Sequence, residues 1–397
     1  MTMRRGTGFG KRRAHVAAAM IAATTAAIGL SVPAMAASAA PSSRASAVPW
    51  SKVGPGWALA LYSATQAGEG VKPKAGATTL YLVNPQGGRY KVLTWSAKSP
   101  RARWELLAWS GDTKRALFTL GPVFLEAARQ HVYQLQLRTG HVTSFTLPAK
   151  VNAVGYTRPD GLNILAEKGA LGVGGGTITL QRYSLTGKLR KSLAGVKGLD
   201  DLAGIGGLPP APYNSAGTEL AAGTANGLDL ISNGGGVIRK LPVHGVSEGC
   251  SAVRWWSKST VLATCNGRMW LVPVSGAKPS ALTPVRKNGF DFGDFNAWQL
   301  SSGLYVDGYG ACGSLVIGRQ PAHGKEQQVN VPGAASSLVV NATSSKLMVE
   351  RINGCMPGVS LVWFNPKTRA MKVAIPIAGK NQEGVTDVVP YFVAGKF

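Results

Sequence analysis

Three stretches of the chain share one pattern, and this pattern decides the fold class. They read WSGDTKRALF from Trp109, YTRPDGLNIL from Tyr156 and YNSAGTELAA from Tyr213. In each stretch an aromatic residue precedes a polar turn with Gly, Asp or Ser, and an apolar segment follows the turn. Such a pattern predicts two antiparallel strands joined by a tight turn.

Other segments recur around this turn unit. Weaker copies of it begin at Trp256, Trp298 and Asn341, so the anchors from Tyr213 onward are 43, 42 and 43 residues apart. A period of this length indicates a repeat fold. An apolar strand that runs into a turn, in most copies with Gly, occurs seven times, as TLYLVNPQGG from Thr79, HVYQLQLRTG from His131, TLQRYSLTGK from Thr179, GLDLISNGGG from Gly227, RMWLVPVSGA from Arg268, SLVIGRQPAHG from Ser314 and SLVWFNPKTR from Ser360.

Each repeat is long enough for four short antiparallel strands, which form one propeller blade. The seven copies therefore predict an all-β fold, a seven-bladed β-propeller, with six or eight blades as alternatives because the first and fourth repeats are irregular. A pair of β-sandwiches would not repeat its turns so regularly, and a right-handed β-helix would have shorter coils. The predicted blades span about 49–96, 103–149, 151–195, 202–243, 250–285, 291–333 and 337–379.

The end of the chain resembles the start of a blade. The segment GVTDVVPYFVAGKF from Gly384 is similar to VNAVGYTRPDG from Val151, whereas the first blade lacks a convincing first strand of its own. We predict that Val385 to Phe392 supplies the innermost strand of the first blade. The C-terminal strand would then close the ring and remove exposed sheet edges.

The turn units resemble degenerate copies of the W-S-P-D-G-x-x-I-A-F repeat of TolB-type β-propellers. The resemblance is clear for the stretches from Trp109, Tyr156 and Tyr213 and weak for the later copies. It implies a propeller in a secreted bacterial protein of actinobacterial type. It implies no activity, because such repeats serve scaffolds, peptidases and polysaccharide lyases. TolB itself carries an extra amino-terminal domain, for which repeats beginning near Trp50 leave no room.

The first 40 residues have the composition of a secretory signal peptide. Five basic residues from Arg4 to Arg13 precede an uncharged run from Val16 to Leu30, and small-residue cleavage patterns follow at 34–36 and 37–39. The alternative, an uncleaved membrane anchor, would need a longer apolar run. We predict export by the general secretory or twin-arginine route, a linker at 41–48, and a single propeller domain at 49–397.

The four cysteines predict two disulfides, because an exported protein matures where disulfides persist. Cys250 and Cys265 flank a hairpin and would face each other if its turn is centred just after Ser257. Cys312 and Cys355 end the second strands of the sixth and seventh blades, where a bridge between blades is expected. No Cys-x-x-Cys or neighbouring His pair supports a metal site.

Asp291, Asp294 and Asp307, near the start of the sixth blade, form a weak candidate for an acidic ligand site. Loops that enter a first strand often line one mouth of a propeller, so the cluster could hold a metal ion or a sugar. Its D-F-G-D order lacks the pattern of a calcium loop, and capped turns with surface salt bridges are the favoured interpretation. No catalytic or cofactor-binding residue is predicted, since no motif supplies a partner for His131, His141, His244 or His323.

The chain has 43 Lys and Arg against 18 Asp and Glu, a formal net charge of +25. Removal of residues 1–40 leaves 38 basic and 18 acidic residues, so the charge of +20 belongs to the mature protein. Such a charge suits anionic envelope polymers, phospholipid head groups or acidic proteins. Nucleic acid is disfavoured by export and by the absence of a nucleic-acid motif. Compositional drift in a GC-rich genome is the alternative explanation.

The apolar content of 45% excludes a disordered chain, and no stretch after the leader is long enough for a polytopic membrane protein. The leading hypothesis is a secreted, monomeric, non-enzymatic propeller without cofactor that binds a protein or polymer of the cell envelope. The rival hypothesis is an extracellular hydrolase or lyase whose residues are dispersed around a central funnel.

Overall fold

The computed structural model describes residues 48–66, 72, 74–96, 103–121, 129–159, 161–169, 177–197, 213–246, 249–285, 293–310, 314–323, 325–352, 358–377, 379 and 381–391. Within these ranges the chain is almost entirely β, with a single short 3₁₀ turn at Trp50–Lys52. None of the helical residues in them forms a segment long and apolar enough to cross a membrane. The predicted leader and all but the last residue of the predicted linker lie outside the described residues.

In chain order the strands are β1 (Ala58–Gln66), β2 (Ala77–Val83), β3 (Arg89–Ser96), β4 (Trp104–Trp109), β5 (Arg115–Leu120), β6 (His131–Gln136), β7 (Val142–Thr146), β8 (Val151–Tyr156), β9 (Asn163–Lys168), β10 (Thr177–Ser184), β11 (Leu189–Lys197), β12 (Glu219–Thr224), β13 (Gly227–Ser232), β14 (Val237–Pro242), β15 (Cys250–Ser257), β16 (Thr260–Cys265), β17 (Arg268–Pro273), β18 (Ser280–Ala281), β19 (Asp294–Leu300), β20 (Gly303–Tyr309), β21 (Leu315–Gln320), β22 (Gln327–Gln328), β23 (Ser336–Ala342), β24 (Leu347–Ile352), β25 (Val359–Phe364), β26 (Met371–Ile375) and β27 (Gln382–Pro390).

These strands form small antiparallel sheets in which consecutive strands are neighbours. The sheets β4–β7, β8–β11, β15–β18 and β19–β22 each have four strands, and β12–β14 has three. Beside the three-stranded sheet, Tyr213 forms an isolated antiparallel bridge with Leu220 of β12. This bridge lies on the side of β12 where the other sheets have their first strand. Strands β23–β26 are joined to the remaining sheet, β27-β1-β2-β3, by one parallel pair, Val359 with Gly384. This all-β architecture is consistent with a β-propeller.

The last strand of the described chain pairs with the first. Strand β27 runs antiparallel to β1, with Val388 opposite Ala60 and Val385 opposite Tyr62. The N–H of Tyr391 extends this ladder by donating to the Trp57 carbonyl at 2.9 Å. Residues from the two ends of the sequence therefore complete one four-stranded set, because neither end has enough partners of its own.

Apolar side chains fill the space between consecutive sheets. Between β3 and the sheet β4–β7 the contact is aromatic, with the Trp95 ring edge-on to Trp104 and Phe118 at 5.9 Å in both cases. The other interfaces are formed by clusters that hold, for example, Leu117 with Ile164, Leu180 with Ile231, Leu230 with Val261, Leu262 with Val306, Tyr305 with Val349, and Trp363 with Val388. Burial on both faces explains why the strands alternate only loosely between apolar and polar residues.

The turns before β11 and β14 pack on the outer strand of the preceding sheet. A Cβ on Gly187, which has φ of 79°, would lie 2.6 Å from the ring of Phe145. A Cβ on Gly235, with φ of 96°, would lie 2.5 Å from Leu193. Both positions need glycine for the backbone angle and for the close approach. The recurring glycine turns of the sequence thus hold neighbouring sheets together.

Bulges recur in the first strands of the sheets, and side chains from the preceding sheet bind the backbone there. Ala153, next to the bulge in β8, donates its N–H to Gln130 Oε1 at 2.6 Å. Val339, next to the bulge in β23, donates its N–H to Asp307 Oδ1 at 3.1 Å. A bulge leaves a backbone group without a ladder partner, and a buried polar side chain satisfies it.

The first copy of the repeated turn shows the role of its polar residues. Asp112 accepts a hydrogen bond from Ser110 Oγ at 2.6 Å and another from the Lys114 N–H at 3.1 Å, and it forms an ion pair with Arg115 at 3.1 Å. A short side chain that binds nearby backbone in this way fixes a tight turn.

Candidate functional site

Two groups of carboxyl side chains lie inside the described structure. The first contains Asp294 at the start of β19 and Asp307 in β20, which are both buried. Asp291, the third member of the acidic cluster named from the sequence, lies outside the described residues. The expectation of turn caps or surface salt bridges was wrong for Asp294 and Asp307. Both belong to paired strands, where Asp307 stands opposite Asn296 across a bulge.

Asp307 is held by two donors from different strands. Trp298 Nε1 donates to Asp307 Oδ2 at 2.8 Å, and the N–H of Val339 donates to Oδ1. Burial raises the pKa of Asp307 to about 7, and Asp294 adds to the rise, whereas the two hydrogen bonds and the charge of Arg254 oppose it.

Arg254 of β15 completes this first group from the neighbouring sheet. Its side chain is buried and donates to Asn296 Oδ1 and to the carbonyl of Ala297. The guanidinium carbon also lies 4.0 Å from the centre of the Trp298 ring, a cation–π contact. Burial lowers the pKa of Arg254, and the nearby Asp307 carboxyl opposes this. These contacts join the sheets β15–β18 and β19–β22 in the interior, where Asp294, Asp307 and Arg254 are all buried.

The second group was not found from the sequence. It contains Asp387 and Glu383 of β27, Glu350 of β24 and Arg103, just before β4. These residues come from three distant parts of the chain, so no local motif connects them. The only signal in the sequence was the predicted pairing of the C-terminal strand, which brings Asp387 beside Leu61 of β1. Glu350, Glu383 and Asp387 are half-buried residues, and Arg103 is exposed.

The carboxyl groups of the second group influence each other. Burial raises the pKa of Glu350 to about 8, and the neighbouring Asp387 contributes. Burial also raises the pKa of Asp387 to about 6, and Glu383 adds to the rise. The Thr386 hydroxyl, which donates to Asp387 Oδ2 at 2.9 Å, the charge of Arg103 and the N–H of Leu106 in β4 oppose this rise.

A small polar pocket adjoins this second group. Its internal volume is about 10 Å³, which is room for one water molecule. Two members of the group, Arg103 and Glu383, line it. The complete lining is Ser63, Thr65, Thr78, Arg103, Trp104, Glu383 and Thr386. The pocket offers hydroxyl groups and opposite charges, which suit a small polar group of a ligand.

The described residues contain no group of three or more His, Cys, Asp or Glu side chains placed to hold a metal ion. His131 Nδ1 lies 3.0 Å from the Thr146 hydroxyl, and the other predicted surface histidines, His141, His244 and His323, are exposed.

Cys250 and Cys265 form a disulfide and face each other across β15 and β16. The register from which this pair was predicted was wrong. The turn is centred after Lys258, so that Ser257 pairs with Thr260, and two bulges in β15 shift the register until Cys250 is opposite Cys265. Cys312 and Cys355 lie outside the described residues.

Charges of opposite sign occupy different parts of the protein. Every carboxylate of the described chain is buried or half-buried, whereas Lys and Arg supply all of its fully exposed charged side chains. Arg115 forms an ion pair with Asp112. Among the described residues, the fully exposed charges are therefore all positive.

No protein-family model and no curated protein sequence matches the chain. Among solved structures, a study of two prolyl endopeptidases gives a TM-score of 0.50 at 13% identity, covering 80% of this chain and 49% of that one. A puromycin-hydrolyzing peptidase of Mycobacterium tuberculosis gives a TM-score of 0.47 at 15% identity, covering 81% of this chain and 53% of that one. The β-propeller domain of the Trilobed protease from Pyrococcus furiosus gives 0.44 at 10% identity, covering 81% and 95%. This chain thus spans about half the length of the two peptidase chains. At these identities the likeness concerns the fold alone, and it agrees with the β-propeller class.

Proposed function

We propose that this protein is a secreted, non-enzymatic β-propeller that binds an acidic polymer or an acidic protein of the cell envelope. The observation that carries the proposal is the separation of charge among the described residues, where no carboxylate is fully exposed and most Lys and Arg side chains are. A surface of one sign attracts an extended polyanion at many points and accelerates its association. Without exposed carboxylates the described surface has little to repel such a partner.

The proposal includes seven blades, with β27 as the innermost strand of the first blade. The antiparallel pairing of β27 with β1 and the packing of the turns before β11 and β14 on the preceding sheets support it. The approach of Gly87, in the turn before β3, to Lys372 of β26 supports the same packing of the first sheet on the last. A signal peptide at 1–40, a linker at 41–48, a propeller at 49–397 and a bridge between Cys312 and Cys355 complete the proposal.

Binding to immobilised polymers under increasing salt tests the function. The full chain would be applied to poly-glutamate, polygalacturonate, a phosphodiester polymer and neutral dextran. Specific recognition predicts that one anionic polymer retains the protein at salt concentrations that release it from the others, because non-specific attraction between exposed charges is screened. Release from all of the anionic polymers at one moderate salt concentration would contradict the proposal.

A second function is favoured by the group around Asp387. Glu350, with a pKa of about 8, stays largely protonated near neutral pH, whereas Asp387, with a pKa of about 6, is largely ionised. Two carboxyl groups with separated pKa values can act as general acid and general base in a hydrolase or lyase. Arg103 would bind an anionic substrate group at the adjoining pocket.

Activity assays on peptides, oligosaccharides and uronic-acid polymers test this second function. If it holds, the wild type is active on one substrate class, and Glu350→Gln and Asp387→Asn each lower the rate at least about a hundredfold. Glu219→Gln, which changes a half-buried carboxyl group of β12, is the matched control and should retain activity. A wild type inactive on all classes, or variants with unchanged rates, would refute catalysis at this site.

A further inference from the structure

The outer strands β11 and β14 of two neighbouring sheets begin with exposed aliphatic residues. Leu189 is 46% exposed, Val237 37% and Ile238 49%. Each outer strand is buried only further along, at Leu193 and Leu241 respectively. Aliphatic side chains that are exposed to water do not stabilise these strands. Their grouping at one place therefore indicates an interaction surface.

Basic side chains are direct sequence neighbours of these aliphatic residues. Two of them touch backbone, since Lys191 donates to the Gly234 carbonyl and Arg239 donates to the Val274 carbonyl at 2.5 Å. Asp229 of β13 is buried and stands opposite Lys240 of β14. The complete set of exposed cations at this place is Lys188, Arg190, Lys191, Arg239 and Lys240.

The two strand beginnings form one continuous surface. The turn before β14 lies against β11, as the hydrogen bond from Lys191 to Gly234 and the close approach of Gly235 to Leu193 show. Because both outer strands start at the same end of their sheets, their exposed halves lie side by side. We call this surface the basic–aliphatic rim and define it as residues 188–191 and 237–240.

We propose that the basic–aliphatic rim docks on an anionic lipid bilayer. Lys and Arg bind the phosphates of lipid head groups, and aliphatic side chains between them enter the boundary with the acyl chains. A soluble polyanion would use the cations and leave the aliphatic residues in water. A second copy of this chain would bring like charges together, which costs free energy. The rim therefore adds a lipid surface to the polymer or protein partner proposed above, and it does not depend on that function.

Co-sedimentation of the full chain with vesicles tests the docking. The vesicles are phosphatidylcholine alone or phosphatidylcholine mixed with phosphatidylglycerol. Two double variants separate the contributions: Arg190→Gln with Lys240→Gln removes charge, and Val237→Ser with Ile238→Ser removes aliphatic surface. Lys325→Gln with Lys367→Gln removes the same charge at exposed loop positions elsewhere. Because residues 1–47 are identical in all variants, differences between variants report the rim.

The expected result is binding to the anionic vesicles that exceeds binding to phosphatidylcholine. The charge variant should bind the anionic vesicles about thirtyfold more weakly and the aliphatic variant at least about tenfold more weakly. The loop variant should stay within about threefold of the wild type, since its charges lie outside the rim.

Three outcomes would overturn the docking. Unchanged vesicle affinity of the aliphatic variant, together with equal competition by soluble polyphosphate, would assign the rim to a polymer. An equal loss in the loop variant would show that net charge alone acts. Absence of any preference for anionic vesicles would remove the lipid partner. Retained thermal midpoints of all variants verify that the exposed substitutions leave the fold intact.

Discussion

Strand β27 provides the sharpest test of the fold. It buries Val385, Val388 and Val389, whose exposures are 3%, 2% and 5%. Burial of one Val side chain stabilises by roughly 1.5–3 kcal/mol, so the three together contribute about 5–9 kcal/mol. The ladder with β1 adds to this. The total unfolding free energy of a domain is about 5–15 kcal/mol, so loss of this strand should remove most of it.

The perturbation is deletion of residues 381–397, and deletion of 392–397, which leaves β27 intact, is its control. Urea denaturation followed by Trp fluorescence measures the free energy of unfolding. We expect the longer deletion to unfold or to lose at least about 5 kcal/mol, and a synthetic peptide of residues 381–391 to restore the native signal in trans. Equal urea midpoints for the two deletions would refute the reasoning.

A point variant keeps the test informative if the deletion does not fold. Val388→Thr conserves the shape of the side chain and buries a hydroxyl, which should cost about 1–3 kcal/mol. Val373→Thr makes the same change at a position that is 42% exposed and should be nearly neutral. Equal effects of the two substitutions would show that β27 is not packed as described.

Three further predictions concern Asp307, the pair Cys312 and Cys355, and Asp387. Asp307→Asn replaces one of two acceptor oxygens with an amide nitrogen and leaves either Trp298 Nε1 or the Val339 N–H without its acceptor, so the free energy of unfolding should fall by about 1–3 kcal/mol in urea titrations, and an unchanged free energy would contradict this. Non-reducing peptide mapping of the protein expressed under oxidising conditions should find Cys312 linked to Cys355, and a free thiol at either position would exclude the bridge. The pKa of Asp387 is higher in the fold, about 6, than in the unfolded chain, so its contribution to stability is complete below about pH 4 and is lost as pH rises through 6. Between pH 4 and pH 8 the free energy of unfolding of the wild type should fall by up to about 3 kcal/mol relative to that of Asp387→Asn. A difference between the two free energies that does not change with pH would contradict the assigned burial.

Local pairing could be predicted wherever one turn joins two neighbouring strands. The stretches from Trp109, Tyr156 and Tyr213 carry the aromatic residue, the polar turn and the apolar strand that such a hairpin requires. The hairpin around Cys250 and Cys265 shows the limit of this reasoning. The pair was predicted correctly from a turn placed one residue too early, because the bulges in β15 depend on packing that a sequence pattern does not record.

The candidate sites depend on contacts between residues that are far apart in the sequence. Asp294 and Asp307 were recognised as a pair because they are close in sequence, but their burial against Arg254 follows from the approach of a different sheet. Asp387 and Glu350 were not singled out, since neither belongs to a motif.

The sequence by itself determined the all-β character, the order of turns and strands, and the excess of positive charge, because each of these depends on neighbouring residues or on composition. Only the tertiary structure decided where the charges lie. It placed the described carboxylates in buried or half-buried positions and left most of the described Lys and Arg exposed, and it brought Glu350, Asp387 and Arg103 together. The physical reason is that burial and long-range electrostatics depend on which sheets pack against each other, and this packing is settled only when all of the strands have found their partners.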